Sequence, residues 1–136
     1  MKHFSISEML RSDTAIRRCL WNGANLEAEE NLRALVEQVL DPLRERYGKP
    51  IYVNSGYRCP KLNQLVNGAV NSQHMKGEAA DITVGSPEEN LKLAHMIEEA
   101  GKFDQLIYEK NSEAGPQWLH VSWKRIGTNR KRVLFM

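Results

Sequence analysis

The longest regular pattern in the sequence runs from Leu26 to Tyr47, where apolar residues recur every three or four positions. This spacing predicts an amphipathic helix that buries one face in a core. Three glutamates in the first turn favour a helix start there, because the helix dipole stabilises negative charge at that end. Pro42 predicts a late kink in this helix or an end near Leu40, since proline cannot donate a backbone hydrogen bond.

Short strands are predicted in the rest of the chain. The candidate strands are residues 51–54, 79–84, 105–109 and 118–123, and the last two should form an antiparallel hairpin. Between the second and third strands, Ser86-Pro87 starts a helix that should end at Gly101. Because helices come first and strands follow, we expect an α+β fold, with helices packed on one face of a small antiparallel sheet.

Length and composition limit the class of protein. A chain of 136 residues predicts a single domain over 1–136, and 41% hydrophobic with 26% charged residues excludes collagen-like, rod-like and disordered chains. No apolar run approaches the ~20 residues that cross a bilayer, so no membrane association is expected. The first residues lack the apolar core of a signal peptide, which predicts synthesis in the cytoplasm without one. A net charge of +2 is too small to indicate a nucleic-acid partner. We also expect a monomer.

Three residues, His74, Asp81 and His120, are the candidates for metal chemistry. A loop that folds back at Gly77 could bring His74 to Asp81, and His120 projects from a strand of the same sheet. Two imidazoles and a carboxylate are the ligand count of a catalytic zinc site, which leaves a fourth position for water. Spacing by itself is a weak indication, because a capped loop followed by a strand-end carboxylate gives the same pattern.

Longer motifs carry a resemblance to a known family. They are Ser55-Gly56-Tyr57-Arg58, Ser72-x-His74-x-x-Gly77-x-Ala79-x-Asp81 and Trp118-Leu119-His120. In these segments the sequence resembles the zinc D-alanyl-D-alanine carboxypeptidases, a family that includes vancomycin-resistance dipeptidases and phage L-alanyl-D-glutamate endolysins and shares its fold with hedgehog signalling domains. A subgroup of small bacterial and phage members is similar over nearly the whole chain, through Phe4–Leu10, Asp41–Arg44, Phe103–Ile107 and Asn129-Arg130.

The resemblance implies a function and a set of site residues. It implies one zinc ion held by His74, Asp81 and His120, and hydrolysis of a peptide bond in the stem peptides of bacterial peptidoglycan, by a carboxypeptidase or an endopeptidase. Arg58 would reach into the cleft to hold a substrate carbonyl or carboxylate and to offset negative charge in the transition state. Ser72 would bind substrate or cap its loop. Action on the cell wall after release by a phage holin and a bacterial remodelling role are both compatible with the sequence.

The sequence departs from the better-known family pattern at the position expected for the general base. Many relatives have an acidic residue three positions before the final histidine, and this chain has Gln117 there. Glu109 is the best substitute, because hairpin pairing could place it beside His120. A solvent-facing glutamate at a strand end is the equal alternative. Gln105, on the same strand face, is expected either to contact a metal ligand from behind or to contact a substrate amide.

Two other classes of function have some support in the sequence. Gln117 motivates a zinc-containing module that binds cell-wall peptides without hydrolysing them. The basic residues of the C-terminal tail, Arg130, Lys131 and Arg132, favour a nucleic-acid-binding domain only weakly, because such a run is usually a solvated face. A zinc peptidase is therefore the leading hypothesis from the sequence.

Overall fold

The computed structural model describes all residues, 1–136. Its helices are α1 (Ile6–Leu10), α2 (Asp13–Arg17), α3 (Leu26–Leu35), α4 (Asp41–Tyr47), α5 (Pro60–Leu65) and α6 (Pro87–Ala100). Its strands are β1 (Tyr52–Ser55), β2 (Ala79–Thr83), β3 (Gln105–Glu109), β4 (Trp118–Ser122) and β5 (Arg132–Phe135). The expected α+β class is confirmed. None of the helices is long and apolar enough to cross a membrane.

The predicted long helix is present from Leu26 to Tyr47, but it has a wide turn in the middle. A π-helical segment, Val36–Leu40, joins α3 to α4. Pro42 follows directly in the first turn of α4 and lacks the backbone N–H that a regular helix would use there. The wider π turn accommodates the proline, so the helix continues past Leu40 instead of ending.

The five strands form one sheet in the order β1-β2-β4-β3-β5. The first three pairs are antiparallel, and β3 and β4 form the expected hairpin. The expectation of a purely antiparallel sheet is wrong at one edge, where β5 runs parallel to β3 with Leu134 opposite Ile107. β5 was not predicted, because a four-residue strand next to a basic run is too short to show a periodicity.

Alternating side chains give the sheet two different faces. One face packs into the core with the helices, since its residues cluster with Leu32 and Leu35 of α3 and Leu93 and Ile97 of α6. The core residues on this face of the three central strands are Ala80, Ile82, Leu106, Tyr108, Leu119 and Val121. The opposite face is free of these helices and carries Asp81 and His120, so the functional candidates lie on the open side of the sheet.

Candidate metal centre and cleft

His74, Asp81 and His120 meet on the open face of the sheet. Asp81 of β2 lies directly opposite His120 of β4 in the antiparallel register. Nε2 of His74 and Nδ1 of His120 are each 3.2 Å from Oδ1 of Asp81. One ligand atom from each residue lies within 4.8 Å of the other two. The structure therefore brings together the three residues that the sequence singled out.

A short turn positions His74 against the sheet. The 3₁₀ segment Gln73–Lys76 begins at Ser72, whose hydroxyl accepts a hydrogen bond from the backbone N–H of His74 at 3.2 Å. Gly77 ends the turn with φ of 75°, and a Cβ there would lie 2.3 Å from the Ala28 carbonyl oxygen. Only glycine fits this left-handed, tightly packed position, so Gly77 allows the chain to fold back toward β2.

The donor set fits a zinc ion. Nδ1 of His74 lies 2.6 Å from the Gly56 carbonyl oxygen. Because a carbonyl can only accept, Nδ1 carries the hydrogen and Nε2 of the neutral ring turns its lone pair toward Asp81. Two acceptors 3.2 Å apart are stabilised only by a proton or a metal cation between them. Ligands of a tetrahedral zinc ion, each ~2 Å from the metal, lie about 3.3 Å from one another, which matches this spacing.

Asp81 is ionised in this arrangement. Burial alone would raise the pKa of Asp81, but the His120 and His74 rings outweigh it and hold the pKa well below its usual range. Nη2 of Arg58 also lies 3.7 Å from Oδ2 of Asp81. The cluster therefore presents an anionic oxygen between two imidazole nitrogens, as a divalent cation requires.

Arg58 is fixed beside this cluster by neighbours on both sides. Its Nε donates to Ser55 Oγ at 3.1 Å and its Nη1 donates to Asn63 Oδ1 at 2.9 Å. Asn63 is itself held by a bond from its Nδ2 to the Ala69 carbonyl oxygen at 2.9 Å. Burial lowers the pKa of Arg58, and the charge of Asp81 opposes that shift. No role was predicted for Asn63 from the sequence, and the structure shows that it orients the guanidinium.

A cavity of about 590 Å³ opens over the cluster. Arg58, Ser72, Gln105 and Glu109 all line it together with the two histidines and Asp81. Beyond Arg58 and Asp81, which line both spaces, lies a second cavity of about 290 Å³ that also contacts Ser12 and Asn54. Arg58 and Asp81 therefore each border two cavities, whereas the two histidines border only the larger one.

Glu109 and Gln117 differ in their relation to this cavity. Glu109 pairs across the hairpin with Trp118. Trp118 precedes His120 by two residues and therefore lies on the same face of β4. Burial raises the pKa of Glu109 and Asp81 raises it further, whereas His120 and His74 lower it. Gln117 is exposed and does not line the cavity. The carboxylate of Glu109 on β3 is therefore available in the cavity, whereas Gln117 contributes no side chain to it.

Asp104 ties the turn that carries His74 to the C-terminal segment. Its side chain is fully buried and accepts from Gln73 Nε2 at 2.9 Å and from Arg130 Nη2 at 2.9 Å. Burial alone would raise the pKa of Asp104, but the hydrogen bonds from Arg130 and Gln73 lower it to about 2. No local pattern in the sequence indicates this link, because its partners lie 31 and 26 positions from Asp104 along the chain.

Replacing Asp104 with asparagine should destabilise the fold at pH 7 by about 2 kcal/mol, since hydrogen bonds to a charged group are lost. The pKa of Asp104 is lower in the folded protein, about 2, than in the unfolded chain. Its contribution is therefore present above pH ~4 and is lost as the pH falls toward the folded-state pKa. Urea unfolding of both proteins between pH 7 and pH ~2 measures this, and the difference between them should shrink on acidification.

Asp13→Asn is the control for this measurement, because the Asp13 carboxylate is largely exposed in an ion pair with Arg11. It should change the free energy of unfolding by less than about 1 kcal/mol. A difference between wild type and Asp104→Asn that stays constant with pH would contradict the assignment.

Fold and site together define an α+β domain with a candidate mononuclear metal centre in an open cleft. The family model for peptidase M15 matches residues 2–122, and the chain belongs to this peptidase family. A zinc D-Ala-D-Ala carboxypeptidase of Streptomyces albus G is 44% identical over 69 residues, which cover 48% of this chain and 27% of that protein. The chain thus spans about a quarter of the length of this relative. The family resemblance expected from the sequence is confirmed.

Proposed function

We propose that this protein is a zinc-dependent peptidase that hydrolyses a peptide bond in the stem peptides of bacterial peptidoglycan. The observation that carries the proposal is the convergence of the two imidazole nitrogens on Oδ1 of Asp81 inside an open cavity. Membership of the peptidase family supports the reaction class. The D-Ala-D-Ala carboxypeptidase similar over half of the chain supports the substrate class. Action on the cell wall, as a monomer, belongs to the same proposal.

His74, Asp81 and His120 would hold the zinc ion. When bound, zinc polarises a carbonyl group and makes water a nucleophile near neutral pH. The hydrogen bond from His74 to the Gly56 carbonyl keeps the ring in the tautomer that a metal needs.

Glu109 would move the proton in this reaction. Its carboxylate takes the proton of the attacking water and passes it to the nitrogen of the leaving amine. Burial raises the pKa of both Glu109 and Glu78, another glutamate that lines the cavity. The charges that act on the pKa of Glu78 are chiefly those of Lys76 and Lys124, whereas those that act on the pKa of Glu109 are Asp81 and the two histidines. This difference supports Glu109 as the carboxylate that belongs to the centre.

Three further residues would bind the substrate. Arg58, held by Ser55 and Asn63, would place positive charge against the oxyanion that develops on the carbonyl oxygen. Gln105 lines the cavity from β3 and would contact a substrate amide. The Ser72 hydroxyl caps its turn by accepting from His74, and its own hydrogen is still free to donate to a substrate carbonyl.

Two cleavage modes fit this proposal. The similar protein is named for removal of a C-terminal D-alanine, which supports a carboxypeptidase. The second cavity beyond Arg58 favours an endopeptidase as the other candidate, because it leaves room for substrate on both sides of the centre. The bond cut would then be internal, such as L-Ala-D-Glu.

Mass spectrometry of purified peptidoglycan digested by the zinc-loaded protein tests the proposal, with His120→Ala alongside. New peptide ends that only the wild type produces are the expected result, and their masses identify the bond. If zinc binds stoichiometrically and several wall types remain uncut, the peptidase proposal fails and the non-hydrolysing wall-peptide module takes its place.

A further inference from the structure

One end of the large cavity is rich in cationic side chains. Ser122 follows His120 by two residues on the same face of β4, which places it about 7 Å along the strand. Beyond this point Lys124 and Arg130 line the cavity, and Lys76 joins them from the turn that carries His74. This end lies opposite to the one that holds Trp118 and Glu109.

The positive charges at this end are not all neutralised. The guanidinium of Arg130 donates two hydrogen bonds to the Asp104 carboxylate, at 3.0 and 2.9 Å. Nζ of Lys124 is 4.0 Å from the same carboxylate, which is too long for a hydrogen bond, and the side chain is 32% exposed. Asp104 thus faces two cations with one negative charge. Glu78 also lines the cavity and the charge of Lys124 lowers its pKa, but the two side chains form no ion pair, so Lys124 remains available to an anion in the cavity.

Gln73 supplies an independent indication of a ligand at the same place. Its Nε2 donates to Asp104 at 2.9 Å, which fixes the orientation of the amide. Its Oε1 is buried and has no hydrogen-bond donor in the protein. Buried acceptors are rarely left without a donor. Because Gln73 lines the cavity, an N–H of a bound ligand that displaces the groups covering Oε1 is a suitable partner.

We propose that Lys124 and Gln73 form a carboxylate-binding subsite for the substrate peptide. Lys124 would bind a free carboxylate of the peptide, and Gln73 Oε1 would accept from the N–H beside it. The inference rests on the proposed function and adds a chemical requirement, namely that the substrate carries a negative charge on this side of the cleaved bond.

Such a carboxylate has two sources in a stem peptide, the C-terminus and the α-carboxylate of D-glutamate. Three peptides of one sequence distinguish between them. The probes are L-Ala-γ-D-Glu-L-Lys-D-Ala-D-Ala, the same peptide with a C-terminal amide, and the same peptide with the α-carboxylate of glutamate amidated. Calorimetric dissociation constants are measured with zinc-loaded Glu109→Gln protein, so that hydrolysis does not interfere. One amidated peptide should bind about 10- to 100-fold more weakly than the parent, as expected for a lost hydrogen bond to a charged group.

Lys124→Gln, added to the same protein, should remove this preference for the carboxylate, and Lys124→Arg should restore most of it. Lys61→Gln is the matched control, because Lys61 is exposed on α5 outside the cavity and its loss changes the net charge equally. Lys61→Gln should leave the preference unchanged.

Three results would overturn the subsite: equal affinity for all three peptides, no binding of any of them, or a preference that persists in Lys124→Gln. Failure of the proposed function gives a different result. In that case the zinc-loaded protein with Glu109 intact would hydrolyse none of the peptides, while the Lys124-dependent preference in binding would still be measured.

Discussion

Replacing His120 with alanine is expected to abolish both tight zinc binding and peptidoglycan hydrolysis. The change removes one of three donor atoms and leaves only His74 and Asp81 in the cluster. Loss of a hydrogen-bonding partner behind a metal ligand costs up to about 100-fold, so loss of the ligand itself should cost more. Zinc content after gel filtration and the rate of product formation by mass spectrometry measure the two effects separately.

His95→Ala is the matched control for His120→Ala. His95 is exposed on α6 and lies outside the metal cluster, so zinc content and hydrolysis should both stay at the wild-type level. A His120→Ala protein that keeps one zinc ion per chain and its full rate would show that the metal centre is elsewhere.

Glu109→Gln should separate metal binding from catalysis. Zinc should bind as in the wild type, because Glu109 is not part of the ligand cluster. Hydrolysis should fall by about 100- to 10,000-fold, because glutamine has nearly the same shape but cannot accept the proton of water. Zinc content and the initial rate of hydrolysis of a stem peptide measure this pair of expectations.

Gln117→Ala is the control for Glu109→Gln. Gln117 is exposed outside the cavity, so its loss should leave the rate nearly unchanged. A Glu109→Gln protein with close to the full rate would disprove the assignment of the base. A large loss of rate in Gln117→Ala would show that the position before β4 contributes to the centre after all.

The residues that the sequence predicted correctly belong to local patterns. Ser86 caps α6 by accepting from the backbone N–H of Glu89, and the helix ends at Ala100 as Gly101 indicated. The hairpin of β3 and β4 and the long helix that ends at Tyr47 were likewise visible in periodicity and turn residues. Such patterns are readable because capping, helical spacing and strand alternation involve residues only a few positions apart.

The proximity of His74, Asp81 and His120 was predictable for a different reason. The motif from Ser72 to Asp81 and the segment around His120 carry a family resemblance that spacing by itself does not give. The structure added what orients these residues: the Gly56 carbonyl behind His74 and the Asn63 amide behind Arg58. The Gly56 carbonyl belongs to the backbone and has no side-chain signature, and nothing in the sequence alone pairs Asn63 with Arg58.

The sequence by itself determined the α+β class, the main helices, the strands of the β3–β4 hairpin and the three candidate ligands. Only the tertiary structure decided that β5 pairs in parallel with β3, that Glu109 lines the cavity while Gln117 does not, and that Lys124 and Gln73 share its cationic end. These features depend on strand register and on contacts between residues far apart in the chain. They are fixed by packing of the whole domain, and no local pattern encodes them.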